Sequence, residues 1–255
     1  MSSSPVNHER TYANVAREIR TLLLVDNSAT TLFYWGMLLK RLDYKVVSKR
    51  SAEAALQVME TAVPAVVLTD IPLSGDRDGV ALLKEIKGDP RFKEIPVVML
   101  TSVTDPGVKG DCERLGCAAW FSKDVEPDAL YWKLQSLVEA TPRHHIRLNT
   151  SLKVIVGDST VAGGSARTEY ASAISEGGLY VRTQYPQPQN ALTPVRILLD
   201  GVEVRARALV LYSYAQNAGP YKEPGMGLKF EEISDQDRRL IRLFIKKELT
   251  RDIAH

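Results

Sequence analysis

The chain has 255 residues, 44% hydrophobic and 25% charged, which suits one large domain or two small ones and excludes a disordered or collagen-like chain. Its 33 basic and 31 acidic side chains leave a net charge of +2, so no overall field singles out nucleic acid or an anionic membrane as partner. No apolar run approaches the ~18 residues of a membrane span, and the chain opens on polar residues without the apolar core of a secretory signal. A soluble, cytoplasmic protein is expected. Cys112 and Cys117 match neither a disulfide scaffold nor a metal motif and read as two buried thiols.

After a polar tail over residues 1–20, short apolar runs alternate with helical stretches from Thr21 to about Glu139. The runs Leu22 to Val25, Val46 to Val47, Ala65 to Leu68, Val97 to Leu100 and Ala118 to Phe121 have the continuous apolar character of strands buried on both faces. Between the first two, Ser28 caps a helix carrying Leu32, Trp35, Leu38, Leu39 and Leu42. Ala54, Ala55, Val58 and Met59 stripe the next helix, and Leu130, Leu134, Leu137 and Val138 the last, which Pro142 should stop. Five βα units predict an α/β fold, a doubly wound parallel five-stranded sheet with helices on both faces.

Beyond Pro142 the pattern changes to strands. Leu152 to Val156, Leu179 to Val181, Val195 to Leu199 and Val202 to Tyr212 are β-rich, with Asp200-Gly201 as a hairpin signal. A helix follows from about Asp235 to Leu249, opened by Ser234 and Asp237 in a capping-box pattern and striped by Leu240, Ile241, Phe244 and Ile245. A second, small all-β barrel domain with a C-terminal helix is expected. The charges divide likewise: 17 basic and 19 acidic side chains precede residue 141, and 16 and 12 follow it.

In an open parallel sheet, ligands gather outside the carboxyl ends of the strands. Asp26, Asp70, Thr101 and Lys123 all fall there. A carboxylate beside a hard divalent cation can attack phosphorus, an ammonium can neutralise phosphoryl oxygens, and a hydroxyl can hydrogen-bond them afterward.

These stretches, Leu-Leu-Leu-Val-Asp26-Asn27-Ser28, Val-Val-Leu-Thr-Asp70, Asp78-Gly79, Pro-Val-Val-Met-Leu-Thr101-Ser102 and Trp120-Phe121-Ser122-Lys123, make residues 21–140 resemble the receiver domain of bacterial two-component response regulators, a flavodoxin-like fold. The resemblance implies that Asp70 accepts a phosphoryl group from a histidine kinase, with Mg²⁺ held by Asp26, Asn27 and Asp70. It further implies that Thr101 moves toward the phosphoryl group and that Trp120 follows it inward as the switch aromatic. Pairing of two copies through the face beyond Trp120 would fit the same family. Asn27 stands where the family commonly has a second carboxylate and should bind Mg²⁺ less tightly. The family's proline after the lysine is replaced by Asp124, which can pair with Lys123 and draw it from the phosphate.

After a linker over residues 141–147 that carries Arg143-His144-His145-Ile146-Arg147, the chain offers Ala173-Ile174-Ser175-Glu176-Gly177-Gly178 and then Gly225-Met226-Gly227 before the last helix. In that order these motifs make residues 142–255 resemble a PilZ domain, many members of which bind cyclic di-GMP. The resemblance implies that Arg143 and Arg147 hold the dinucleotide while Ser175 and Gly178 lie against it, as guanidinium forks suit phosphate oxygens and guanine edges. Ala173 replaces the family's Asp or Asn, and a lost polar partner to buried guanine costs about 1–3 kcal/mol. His144 and His145 read as linker residues rather than metal ligands.

A phospho-acceptor receiver coupled to a cyclic di-GMP-binding output, acting on a downstream protein, is the expected function. The alternative is a scaffold in which neither site binds and both domains make protein contacts. No enzyme signature is present: there is no Gly-rich nucleotide loop and no G-x-S-x-G, and Pro72 stands where a hydrolase built on Asp70 would need a second carboxylate. The strand-rich second half also lacks a helix-turn-helix pair for DNA.

Overall fold

The computed structural model describes residues 18–158, 164–215, 218 and 223–253. Most of the tail read over residues 1–20 lies outside them. Two compact units result, one of Ile19–Leu148 with Lys246–His255 and the other containing Asn149–Ile245.

The first unit alternates strand and helix: β1 (Thr21–Val25), α1 (Ala29–Arg41), β2 (Lys45–Lys49), α2 (Ala52–Met59), β3 (Val66–Thr69), α3 (Gly79–Gly88), β4 (Val97–Leu100), α4 (Pro106–Arg114), β5 (Ala119–Phe121) and α5 (Pro127–Val138). The strands pair in parallel in the order β2-β1-β3-β4-β5, the doubly wound sheet expected. Such an order reverses direction between β1 and β3, the point where a ligand crevice opens. β3 and β4 are buried along their whole length, which is why VVLT and VVML are continuous rather than alternating apolar runs. Ser28, Ser51, Asp78 and Asp105 each accept a hydrogen bond from a first-turn N–H of the helix that follows, and such a cap is worth about 1 kcal/mol. Trp35, Leu38, Leu39, Leu130 and Leu134 are fully or almost fully buried, as their helical spacing required. The chain leaves α5 at Glu139, ahead of the Pro142 stop.

The second unit is a closed barrel of β6 (Leu148–Gly157), β7 (Ala166–Ser175), β8 (Gly178–Arg182), β9 (Leu192–Leu199), β10 (Val202–Tyr214) and β11 (Gly225–Ile233) in the order β10-β11-β8-β7-β6-β9. Val154, Ile174, Val181, Ile197, Val204, Val210 and Leu228 fill it. Asp200 and Gly201, with φ of 47° and 87°, both take the left-handed conformation that a two-residue hairpin needs. The sequence pattern shows four of these strands and hides two. β7 carries small alanines where a strand signal expects branched residues, and β11 begins Gly-Met-Gly. Gly227 is required because a Cβ there would overlap the Tyr212 ring, which lies across the bare backbone.

Ser234 caps α6 (Asp235–Thr250) through the Asp237 N–H at 3.0 Å and donates to the Asp237 carboxylate at 2.9 Å. Residues 246–253 belong to the first unit. There Arg41 donates to the carbonyls of Glu248, Leu249 and Arg251 at 3.2, 2.8 and 2.7 Å, satisfying carbonyls left open at a helix end. Among the described residues no helix is long and apolar enough to cross a membrane.

Candidate functional site

Asp26 directly follows β1 and Asp70 directly follows β3, so adjacent parallel strands deliver the two carboxylates to one crevice. The backbone fixes both. The Asp26 N–H donates to the Lys49 carbonyl at 3.1 Å and the Asp70 N–H to the Val25 carbonyl at 2.9 Å. One oxygen of each side chain is then taken by a nearby N–H: Ser28 donates to Asp26 Oδ1 and Ile71 to Asp70 Oδ1, both at 2.7 Å. The remaining oxygens share one cation. Lys123 Nζ, delivered by the segment after β5, lies 2.6 Å from Asp26 Oδ2 and 2.5 Å from Asp70 Oδ2.

Gly79 opens α3 against this site. A Cβ there would overlap the Asp70 carbonyl oxygen, which also accepts the Thr69 hydroxyl at 2.9 Å. Thr101, buried at the end of β4, accepts from the Val103 N–H at 3.2 Å. Trp120 on β5 is half-buried and packs on the apolar cluster that includes Met99 and Cys112. The Asn27 carbonyl receives the Arg50 guanidinium at 2.6 and 3.1 Å, which pins the loop after β1.

Two buried carboxylates around one ammonium leave the pocket one negative charge in excess. Burial pushes the Asp26 carboxyl up, outweighing the Lys123 hydrogen bond, the Ser28 N–H and the Lys123 charge, and the Asp70 charge adds to the rise. For Lys123, burial favours the neutral amine, yet the hydrogen bonds and charges of Asp26 and Asp70 together prevail and raise it. A pocket in this state favours an added cation. Lys123 thus bridges Asp26 and Asp70.

The residues expected to hold a dinucleotide divide between the units. In the first, Arg143 lies 3.9 Å from the Asp43 carboxylate, and its backbone N–H donates to the Gln135 side chain at 3.1 Å. Arg147 is exposed. In the second, the turn between β7 and β8 is tightly held: Ser175 Oγ donates to the Gly178 carbonyl at 3.1 Å, and Phe230 N–H donates to the Gly177 carbonyl at 2.9 Å. A Cβ at Gly178 would overlap the Leu228 carbonyl oxygen, so close approach of β11 selects the glycine.

α6 adds two residues that the sequence reading missed. Arg238 donates to the Glu176 carbonyl at 2.9 Å, and Arg242 clasps the Glu176 carboxylate through Nε and a terminal nitrogen at 3.0 and 2.7 Å. Two arginines one helical turn apart were the available signal.

Residues 22–135 match the family model of the response regulator receiver domain, and residues 140–247 match that of the PilZ domain. The chain is similar to response regulator Rre1 of Synechocystis sp., 31% identical over 116 residues that cover 46% of this chain and 50% of the relative, so it spans half of that protein's length. It is also similar to the polar-differentiation response regulator DivK of Brucella abortus, 28% identical over 109 residues that cover 42% of this chain and 85% of the relative. Among solved structures it is similar to the chemotaxis protein CheY4 of Vibrio cholerae, with 24% identity, a TM-score of 0.44, and coverage of 47% of this chain and 99% of that one.

Proposed function

The chain belongs to the response regulator receiver family over residues 22–135 and to the PilZ family over residues 140–247, and from that premise we propose a cytoplasmic signalling protein whose receiver is phosphorylated on Asp70 and coupled to a cyclic di-GMP-binding barrel. The observation that carries the reading is the shared cation: Lys123 within 2.6 Å of both Asp26 and Asp70. It supports a crevice suited to accepting a phosphoryl group and signalling by its presence, rather than to turnover.

The pocket fits Mg²⁺ by its donor set, hard carboxylate oxygens that already converge on one positive group. Asp26 and Asp70 would hold the ion, with the Asn27 amide oxygen as a weaker neighbour, and its chemistry is neutralisation of phosphoryl charge. An Asp70 oxygen attacks the phosphorus of a kinase phosphohistidine; the O–P bond forms as the P–N bond breaks, and the nitrogen keeps the electron pair. Lys123, already on Asp70 Oδ2, then pairs with the phosphoryl oxygens. The Thr101 hydroxyl supplies a further hydrogen bond, and Trp120 moves with it to reshape the face offered to a downstream protein or to a second copy of the chain. In the barrel, Arg143, Arg147, Ser175 and Gly178 take the dinucleotide.

Titration calorimetry with cyclic di-GMP, with and without beryllofluoride and Mg²⁺ as the phosphoryl mimic, tests the reading. The expected result is binding that Arg147→Ala weakens at least tenfold, and whose affinity shifts with the mimic in wild type but not in Asp70→Asn. Identical affinities with and without the mimic would remove the coupling. No binding heat at high ligand concentration would favour the scaffold reading for the barrel.

A further inference from the structure

β7 and β8 pair antiparallel from Ser175 opposite Gly178 to Tyr170 opposite Arg182. The Ser175–Gly178 turn therefore closes one end of the strands, while Arg167 lies at the other, about 26 Å away at the usual rise per residue. At that far end the barrel mouth holds a cavity of about 390 Å³, within the usual range for small-ligand sites.

Arg167 and Glu169 both line this cavity, two residues apart on one strand and hence on one face. Elsewhere in the barrel such neighbours pair: Arg205 reaches Glu203 and Lys229 reaches Glu231, each at 2.8 Å. Among the described residues, Arg167 and Glu169 make no such bond. The Arg167 guanidinium instead lies over the Tyr185 ring, 4.1 Å from its centroid, and Glu169 Oε1 accepts the Thr183 hydroxyl at 2.7 Å. The same Thr183 oxygen accepts the Tyr185 N–H at 3.0 Å, so one hydroxyl fixes the carboxylate and the segment that carries the ring. The rest of the segment is equally set. Gln187, between two prolines, donates its N–H to Met226 Sδ at 3.4 Å and its side-chain amide to Thr193 at 3.2 Å.

We propose that this mouth is a second ligand site, independent of the Ser175–Gly178 turn, for a small zwitterion of dipeptide size. A cation and an anion side by side on one wall of a half-open pocket, each held by another partner, gain most from a ligand that presents the opposite charges at a matching spacing. The strand sets the Arg167 and Glu169 backbones about 6.6 Å apart, and two long side chains on that base can bracket a ligand whose charged ends lie about 7 Å apart, the reach of an extended dipeptide. The ligand carboxylate takes the Arg167 fork, its ammonium takes Glu169, and an apolar side chain rests on Tyr185 and Met226.

Titration of the full chain with the free dipeptide Ala-Phe, its N-acetyl form and its C-terminal amide tests the proposal. The free dipeptide is expected to bind with a Kd at or below about 1 mM, and each blocked form about tenfold more weakly. Arg167→Ala should weaken the free dipeptide and erase its advantage over the amide, and Glu169→Gln should erase its advantage over the N-acetyl form. Unchanged melting of both variants verifies folding, and Arg167→Lys, which keeps the charge, should restore part of the affinity. Absence of binding heat up to about 10 mM, or equal binding of free and blocked dipeptides, overturns the proposal.

Discussion

Lys123 Nζ lies 2.5 Å from Asp70 Oδ2 in a crevice where Asp70 is 4% exposed, and the same nitrogen serves Asp26. Removing that nitrogen leaves two like charges out of water. Lys123→Ala is expected to lose about 3 kcal/mol of stability in urea unfolding, the lower end for breaking a buried pair because Lys123 itself touches solvent. Combining it with Asp26→Asn should recover a large part of that loss, since one uncompensated charge is then gone.

Asp26 has a raised carboxyl pKa, so the folded state holds its proton more tightly than the unfolded chain does. Its stabilising contribution is full below about pH 3.9, the unfolded value, and is lost as pH rises through the folded value. At neutral pH the ionised group is a net cost. Asp26→Asn should accordingly melt above wild type at pH 7. That advantage should shrink toward pH 4. Lys123 behaves oppositely at the alkaline end: its contribution is present below about 10.4 and lost as pH rises through its raised folded value.

The crevice was legible because each of its members ends a short apolar run, and a parallel sheet brings the carboxyl ends of its strands to one edge. Asp26, Asp70, Thr101 and Lys123 needed no tertiary information beyond that rule. The clamp on Glu176 was legible only as two arginines one helical turn apart, since Arg238 and Arg242 follow Glu176 by some sixty residues and nothing local ties them to it. The contact of Arg167 with Tyr185 was hidden likewise: both side chains are exposed, and eighteen residues of sequence separate them. β11 was missed because Gly225 and Gly227 lower its strand character, although the second glycine is what admits the Tyr212 ring.

Two glycines in α3 separate site geometry from helix propensity. At Gly79 an added methyl overlaps the Asp70 carbonyl, whereas at Gly88 nothing lies within 4 Å. Gly79→Ala is expected to destabilise by more than about 2 kcal/mol through overpacking and to abolish phosphoryl acceptance by displacing Asp70. Gly88→Ala should be neutral or stabilising by up to about 1 kcal/mol. Urea unfolding with phosphate-affinity gel shifts after small-molecule phosphodonor treatment reads both effects. Equal gains for the two variants would show that helix entropy, not the Asp70 contact, governs the position.

Cys112 is fully buried in the apolar cluster, and burial, reinforced by the neighbouring Cys117 and nearby carboxylates, pushes its thiol up to about 11. About two and a half units above an ordinary thiol mean roughly two- to three-hundredfold less thiolate at pH 8. Iodoacetamide at that pH should therefore modify Cys117 first, because it is half-buried, and reach Cys112 only as the chain unfolds. The sign follows for stability as well. A raised folded value binds the proton more tightly than the unfolded chain, so this contribution is full below about pH 8.5. It declines as pH rises toward the folded value near 11. Pulse alkylation across a urea gradient should place Cys112 labelling on the global unfolding curve, and labelling well before that curve would show that the cluster opens locally.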